Sequence, residues 1–165
     1  MSVACHLQER INKRVARFVD RREDWTVFGF ETQKDPKYAR AQRRYIGASG
    51  SVDPNDRRGG LEPTAFTMSI QSMPAGNQIP VHCHETEETF FILGGECLIR
   101  FFEGNEVAEL RLGKWDLIAC PPFIHHEIIN DGAEVCNVQT LLSKPTPLRP
   151  QYRDADMLKL QAAAS

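Results

Sequence analysis

Residues 76–95 read GNQIPVHCHETEETFFILGG and are the most informative stretch of the chain. His82 and His84 are separated by one residue, so on an extended strand both side chains point to the same side, about 7 Å apart. Two imidazoles at this spacing are suited to holding one ion between them. Glu88 follows after a short turn, and the apolar run after it ends in the turn signal Gly94-Gly95.

A second histidine-containing stretch lies about thirty residues further along. Residues 115–130 read WDLIACPPFIHHEIIN and place His125 and His126 after a rigid Pro121-Pro122 pair. The two stretches together supply several imidazoles and carboxylates at strand-like spacing. That combination is typical of a metal site built between strands.

The first stretch resembles the first motif of the cupin family, G(x)5HxH(x)3E(x)6G. Each defined position of that motif is filled, by Gly76, His82, His84, Glu88 and Gly95. The resemblance covers roughly residues 62–143. It implies a jelly-roll barrel with a metal bound inside it.

The second stretch resembles the second cupin motif, G(x)5PxG(x)2H(x)3N, with Pro121, His126 and Asn130 in register. This register selects His126 over its neighbour. Trp115 and Phe123 stand where the motif has glycine. Both are backbone-turn positions, so the departures concern the shape of the loops more than the binding of a metal.

The strand pattern independently predicts an all-β sandwich or barrel. From residue 64 onward, about eight short strands alternate with turn signals such as Gly104-Asn105 and Asp131-Gly132. With the resemblance, the fold class is a double-stranded β-helix (jelly-roll) barrel of the cupin type, with an N-terminal helix and extended arms. We expect a helix and arm over 1–61, the barrel over 62–143 and a C-terminal extension over 144–165.

The two ends of the chain carry weaker signals. Apolar residues within 5–22 recur at helical spacing opposite a basic face, which predicts a helix that docks on the barrel. Residues 25–30 have the composition of a short edge strand, and 31–63 of a long irregular segment. A final helix is expected over 157–164.

Composition limits the classes of protein to consider. The chain has 165 residues, a formal net charge of −2 and scattered cysteines, which suits one domain with reduced thiols in the cytoplasm. We expect no nucleic-acid partner and no membrane partner, because charge is near balance and no apolar run is long enough to span a bilayer. Long arms on a small barrel favour a homodimer.

The resemblance implies a ligand set of His82, His84, Glu88 and His126 for one divalent transition metal per chain. Three nitrogens and one oxygen suit iron, our first choice, and equally manganese, nickel, copper or zinc. Four protein ligands on a metal that prefers six leave two neighbouring positions for a substrate or dioxygen.

Strand alternation predicts the wall of the site. If Glu88 faces inward, Phe90 and Ile92 do so as well, and Ile128 follows His126. The result is a largely apolar cavity for a substrate with a chelating polar end. The candidate polar contacts are Gln71 and Gln139, which lie on flanking strands. The sequence does not show whether these two side chains point into the cavity.

A basic cluster precedes the barrel. Arg40, Arg43, Arg44 and Tyr45 either lie over the mouth of the barrel, where they would meet an anionic substrate, or form a solvated face. Without an inward-facing cation, oxalate and phosphosugars are disfavoured as substrates.

Three functions fit these features. The first is a metal-dependent dioxygenase that cleaves a C–C bond in a small chelating substrate (an enol, a diketone or an aromatic compound), with Glu88 as ligand and catalytic proton acceptor. The second is a non-redox isomerase, lyase or hydrolase in which the metal acts as a Lewis acid. The third is a cupin module that binds a small molecule without turnover.

Overall fold

A computed structural model describes residues 3–51, 53, 56 and 60–164, with side chains from residue 6 onward. The described residues form ten strands and three α-helices. The strands are β1 (Ala41–Ile46), β2 (Thr67–Met73), β3 (Gln78–Cys83), β4 (Glu88–Gly94), β5 (Glu96–Glu103), β6 (Glu106–Gly113), β7 (Leu117–Cys120), β8 (His125–Ile129), β9 (Cys136–Leu142) and β10 (Gln151–Tyr152). The helices are α1 (Val3–Asn12), α2 (Gly29–Lys34) and α3 (Ala155–Ala163).

The strands form two five-stranded antiparallel sheets, in the orders β1-β2-β9-β4-β7 and β10-β3-β8-β5-β6. Apolar side chains from both sheets meet in one core, in which Phe90, Ile99, Ile128 and Val138 have no solvent exposure. Burial of alternate side chains along β4 and β9 is what the sequence pattern predicts for strands with one face on a core. The predicted all-β jelly roll is confirmed.

The N-terminal helix differs from the prediction. It ends at Asn12, and its apolar side chains Leu7 and Ile11 are 58% and 52% exposed. The expectation that it docks on its own barrel is therefore wrong. The basic run that begins at Arg10 and continues beyond the helix places like charges one turn apart, which disfavours further helix.

The predicted edge strand over 25–30 is also wrong, because α2 begins within it at Gly29. Asp24 accepts hydrogen bonds from the backbone N–H and the hydroxyl of Thr26, at 2.8 and 2.6 Å. This local turn competes with an extended backbone. Phe28 and Phe30 are buried nonetheless, in a turn and a helix.

One strand lies inside the segment expected to be irregular. β1 pairs with β2 along its length, with Gln42 opposite Gln71, and the buried amide of Gln42 donates to Ser69 Oγ at 3.0 Å. Its sequence, AQRRYI, is mostly polar and lacks the apolar alternation of a strand, so the strand was not predicted. The sheet therefore extends beyond the predicted barrel, and the division of the chain at residues 61 and 143 remains a prediction.

The C-terminal segment returns to the same end of the barrel as α2. β10 pairs with β3, so that Tyr152 lies opposite His82. α3 is capped by the Asp154 carboxylate, which accepts from two backbone N–H groups, and it lies within two residues of the predicted helix. Met157 on α3 packs with Phe30 and Tyr152, which joins the two arms.

The two residues that replace motif glycines adopt the backbone conformation that glycine favours. Trp115 has φ 77° and Phe123 has φ 64°, both in the left-handed region. The Phe123 N–H donates to the His84 carbonyl at 2.8 Å, so this loop is tied to the histidine-bearing segment. The loop shape of the motif is kept at the cost of backbone strain.

We expect Phe123→Gly to be more stable than Phe123→Ala by about 1 kcal/mol in the free energy of unfolding, because only glycine relieves the left-handed backbone. The Phe123 side chain is 61% exposed, so both variants lose little packing. Urea denaturation of both variants measures the difference. An alanine variant as stable as the glycine variant would show that the loop is not strained.

Candidate metal centre

The four predicted ligands come together from positions on or next to strands β3, β4 and β8. His82 lies on β3 directly opposite His126 on β8, Glu88 begins β4, and His84 follows β3. The Nε2 atoms of His82, His126 and His84 lie 3.2, 3.2 and 3.5 Å from the same atom, Glu88 Oε2. All four side chains are buried. A single carboxylate oxygen is thus surrounded by three imidazoles.

Hydrogen bonds fix the orientation of two of these rings. His82 Nδ1 donates to the Pro80 carbonyl at 2.8 Å, and His126 Nδ1 donates to the Ile124 carbonyl at 3.0 Å. A neutral imidazole that donates from Nδ1 presents a lone pair at Nε2, as metal-bound histidines do. A carboxylate among such rings is stabilised by a cation, either a proton on Nε2 or a bound metal ion. The donor set therefore fits a divalent transition metal.

The charge states of Glu88 and His84 suit metal binding. Burial lowers the pKa of His84 to about 4, so this imidazole is neutral at physiological pH. Burial opposes the charge on Glu88, but the neighbouring histidines outweigh it and hold its pKa well below the usual range. For His82 burial is likewise outweighed, and the hydrogen bond and charge of Glu88 raise its pKa. A carboxylate and neutral imidazoles are the forms that bind metals, so a metal would displace a proton from His82 but not from His84 or Glu88.

Three of the four predicted ligands, His82, His84 and Glu88, line a cavity of about 40 Å³. Such a volume holds a few water-sized groups, since one water needs about 10–15 Å³ by this measure. Both arms contribute walls: Phe28, Phe30, Glu31 and Arg40 from the N-terminal side, and Leu148, Pro150 and Tyr152 from the C-terminal side. The cavity is thus closed by segments outside the cupin motifs.

The predicted wall residues divide into three groups. Phe90 and Gln71 line the cavity, whereas Ile92 and Ile128 are buried in the core without lining it. Gln139 is half-buried and faces away, because the inward positions of β9 are the even-numbered ones, and its neighbour Thr140 lines the cavity instead. Val138 and Leu142 are apolar and point inward, so the alternation along β9 indicates that Thr140 between them points inward as well.

A buried polar network, which the sequence pattern does not reveal, crosses the cavity wall. Arg40 donates to Glu31 Oε2 at 2.5 Å and to Gln71 Oε1 at 2.6 Å. The Tyr152 hydroxyl donates to Glu31 Oε1 at 2.5 Å, and Gln71 donates to Thr140 at 2.9 Å. Burial, together with Glu31, raises the Tyr152 pKa well above its ordinary value, so its hydroxyl stays protonated.

Only Arg40 of the predicted basic cluster lines this cavity within the described part of the chain. Its guanidinium stacks on the Phe28 ring at 3.6 Å. Arg43 pairs instead with Glu23 at 2.8 Å, and Arg44 with Asp56 at 3.4 Å. Tyr45, the fourth member, is half-buried and does not line the cavity.

The fold and the site define the class of this protein. Residues 69–142 match the family model described as a cupin domain. This part of the chain is therefore similar to a cupin domain. No curated protein shows a significant sequence match to it. No helix in the described ranges is long and apolar enough to span a membrane.

Several solved structures share this fold. CapF in complex with the inhibitor 3-isopropenyl-tropolone matches with a TM-score of 0.51 at 19% identity, over 63% of this chain and 28% of CapF. An oxalate decarboxylase matches with a TM-score of 0.51 at 14% identity, over 55% of this chain and 24% of that chain. The oxalate decarboxylase of Lactobacillus farciminis, in a formate complex, matches with a TM-score of 0.47 at 19% identity, over 50% of this chain and 25% of that chain. The matched region is thus about a quarter of each of these longer chains.

We expect His84→Ala to abolish binding of the metal and leave a folded barrel, because it removes one of four ligands without cutting a strand. His125→Ala is the matched control, since this imidazole contacts Cys83 Sγ at 3.7 Å and does not line the cavity. Elemental analysis and circular dichroism of both variants provide the measurement. Stoichiometric metal in the His84 variant would contradict the ligand set.

We expect Arg40→Met alone to lower the free energy of unfolding by about 3 kcal/mol, because Glu31 is left as a buried carboxylate without its cation. The double variant Glu31→Gln/Arg40→Met removes both charges and should be more stable than the single variant. Urea denaturation measures both. Equal losses in the two variants would show that packing, and not charge pairing, dominates at this position.

Proposed function

We propose that this protein is a metal-dependent cupin enzyme, a dioxygenase that cleaves a C–C bond in a small chelating substrate. The observation that carries the proposal is the convergence of three imidazole Nε2 atoms within 3.5 Å of Glu88 Oε2, beside a closed cavity. His82, His84, Glu88 and His126 would hold the metal, with iron as the first choice. When bound, a redox-active metal supplies electrons for the reaction with dioxygen.

The size and charge of the cavity support a small, singly charged chelating group. Arg40 and Glu31 are paired and add no net charge, while a divalent metal with Glu88 would carry one positive charge. An enolate balances that charge better than a dianion does. About 40 Å³ admits only the chelating end of a substrate, so a larger body requires the arms at Phe28 and Leu148 to move.

The protein's own groups have separate tasks in this proposal. Glu88, a buried carboxylate, would hold the metal and would also accept the proton that an enol loses on binding, a task that its lowered pKa disfavours. Gln71 and Thr140 are the polar contacts for the substrate on the barrel side, and Phe90 excludes water beside them. On the opposite wall, Tyr152 donates its single hydroxyl proton to Glu31, so its oxygen would face the substrate as a hydrogen-bond acceptor.

The cavity wall that contains Tyr152 and Glu31 favours a second candidate, a non-redox isomerase, lyase or hydrolase. Tyr152 and Glu31 form a buried acid–base pair at the cavity, 2.5 Å apart, whose chemistry needs no dioxygen. In this case the metal would polarise a carbonyl group. Dependence of turnover on dioxygen separates the two candidates.

The test uses protein purified without a metal-affinity tag. We expect about one iron, or another redox-active metal, per chain and dioxygen uptake with a β-diketone, a catechol or a hydroxylated aromatic acid. Glu88→Gln should abolish this uptake, and His125→Ala should preserve it. Zinc without dioxygen uptake would favour the second candidate, and protein that binds no divalent metal would refute both enzymes.

A further inference from the structure

An apolar groove lies at the edge of the barrel where the two sheets end. It runs between β6 and β7, the last strands of the two sheets, and has a volume of about 390 Å³. Its floor includes Phe101 and Ile118, which also pack against the main core. Val107, on its wall, is 56% exposed. Apolar side chains placed here would extend the core of the barrel.

The rim of the groove is acidic. Glu103 and Glu106 line it and stand directly opposite each other across the β5–β6 hairpin. Like charges in directly opposed positions of a sheet are destabilising. Both side chains are exposed, so a cation brought by a partner could reach them.

Helix α1 has the complementary surface. Leu7 and Ile11 are one turn apart on the helix, so they project from the same face, and both are more than half exposed. Arg10 on the helix and Arg14 just after it supply exposed positive charge beside this apolar face. An amphipathic helix of this kind binds in a groove through residues spaced at i and i+4.

We propose that α1 of one copy of this chain docks in the β6–β7 groove of a second copy. Leu7 and Ile11 enter the groove over Phe101 and Ile118, and the arginines face Glu103 and Glu106. In a two-fold dimer this contact forms twice, with each copy giving a helix and receiving one. The occupant is a second copy because the basic helix and the acidic groove are both exposed on the same chain.

Charge reversal tests the pairing of helix and groove. The helix variant is Arg10→Glu/Arg14→Glu, and the groove variant is Glu103→Lys/Glu106→Lys. Each variant alone brings like charges together, and we expect dimerisation about tenfold weaker or more. In a one-to-one mixture each helix finds a groove of opposite charge, so a heterodimer with wild-type affinity should form. Sedimentation velocity at low and high salt measures these species.

Lys159→Glu, on an exposed face of α3, is the control for a change of charge elsewhere, and Leu7→Asp tests the apolar contact. We expect the control to dimerise as the wild type does and Leu7→Asp to be monomeric, with the thermal unfolding of the barrel unchanged. A wild type that is monomeric would overturn the proposal. So would a dimer whose affinity neither charge variant alters, or variants that fail to associate when mixed.

Discussion

The site depends on one buried carboxylate, Glu88, around which the fold places three imidazole rings. Carbonyl groups of the chain hold Nδ1 of His82 and His126 as donors, so Nε2 of each ring faces Glu88 Oε2 at 3.2 Å. Each ring therefore directs Nε2 at the carboxylate, out of contact with water, and a cation is needed there: a proton on Nε2 or a metal ion. This preorganised set of donor atoms is the basis for the proposed metal centre.

The fold supplies the positions that this arrangement needs. The register of β3 and β8 places His82 opposite His126, and β4, in the other sheet, brings Glu88 between them. The arms then close the site: Glu31 on α2 bonds to Tyr152 on β10 and to Arg40 beside β1. The buried network thus connects both ends of the chain at the wall of one cavity. Access to the site is consequently governed by segments outside the cupin motifs.

The barrel and the ligand cluster could be predicted because each rests on local signals. The alternation of apolar and polar residues, the turn residues and the spacing of His82 and His84 can each be read from a short stretch of sequence. The arms could not be predicted in the same way. Strand β1 is polar and depends on its partner strand, and Glu31 acquires its role only from a fold that brings it to Arg40. The facing of Gln139 was left open, although the apolar residues Val138 and Leu142 mark the even-numbered positions of β9 as the inward ones.

Diffraction from crystals of tag-free protein, recorded at the absorption edge of the metal that elemental analysis finds, tests the central claim most directly. The account predicts one anomalous peak per chain, within bonding distance of Nε2 of His82, His84 and His126 and of the Glu88 carboxylate. A peak at any other position would contradict it. So would crystals soaked in iron, manganese and zinc in which these four side chains bind no metal.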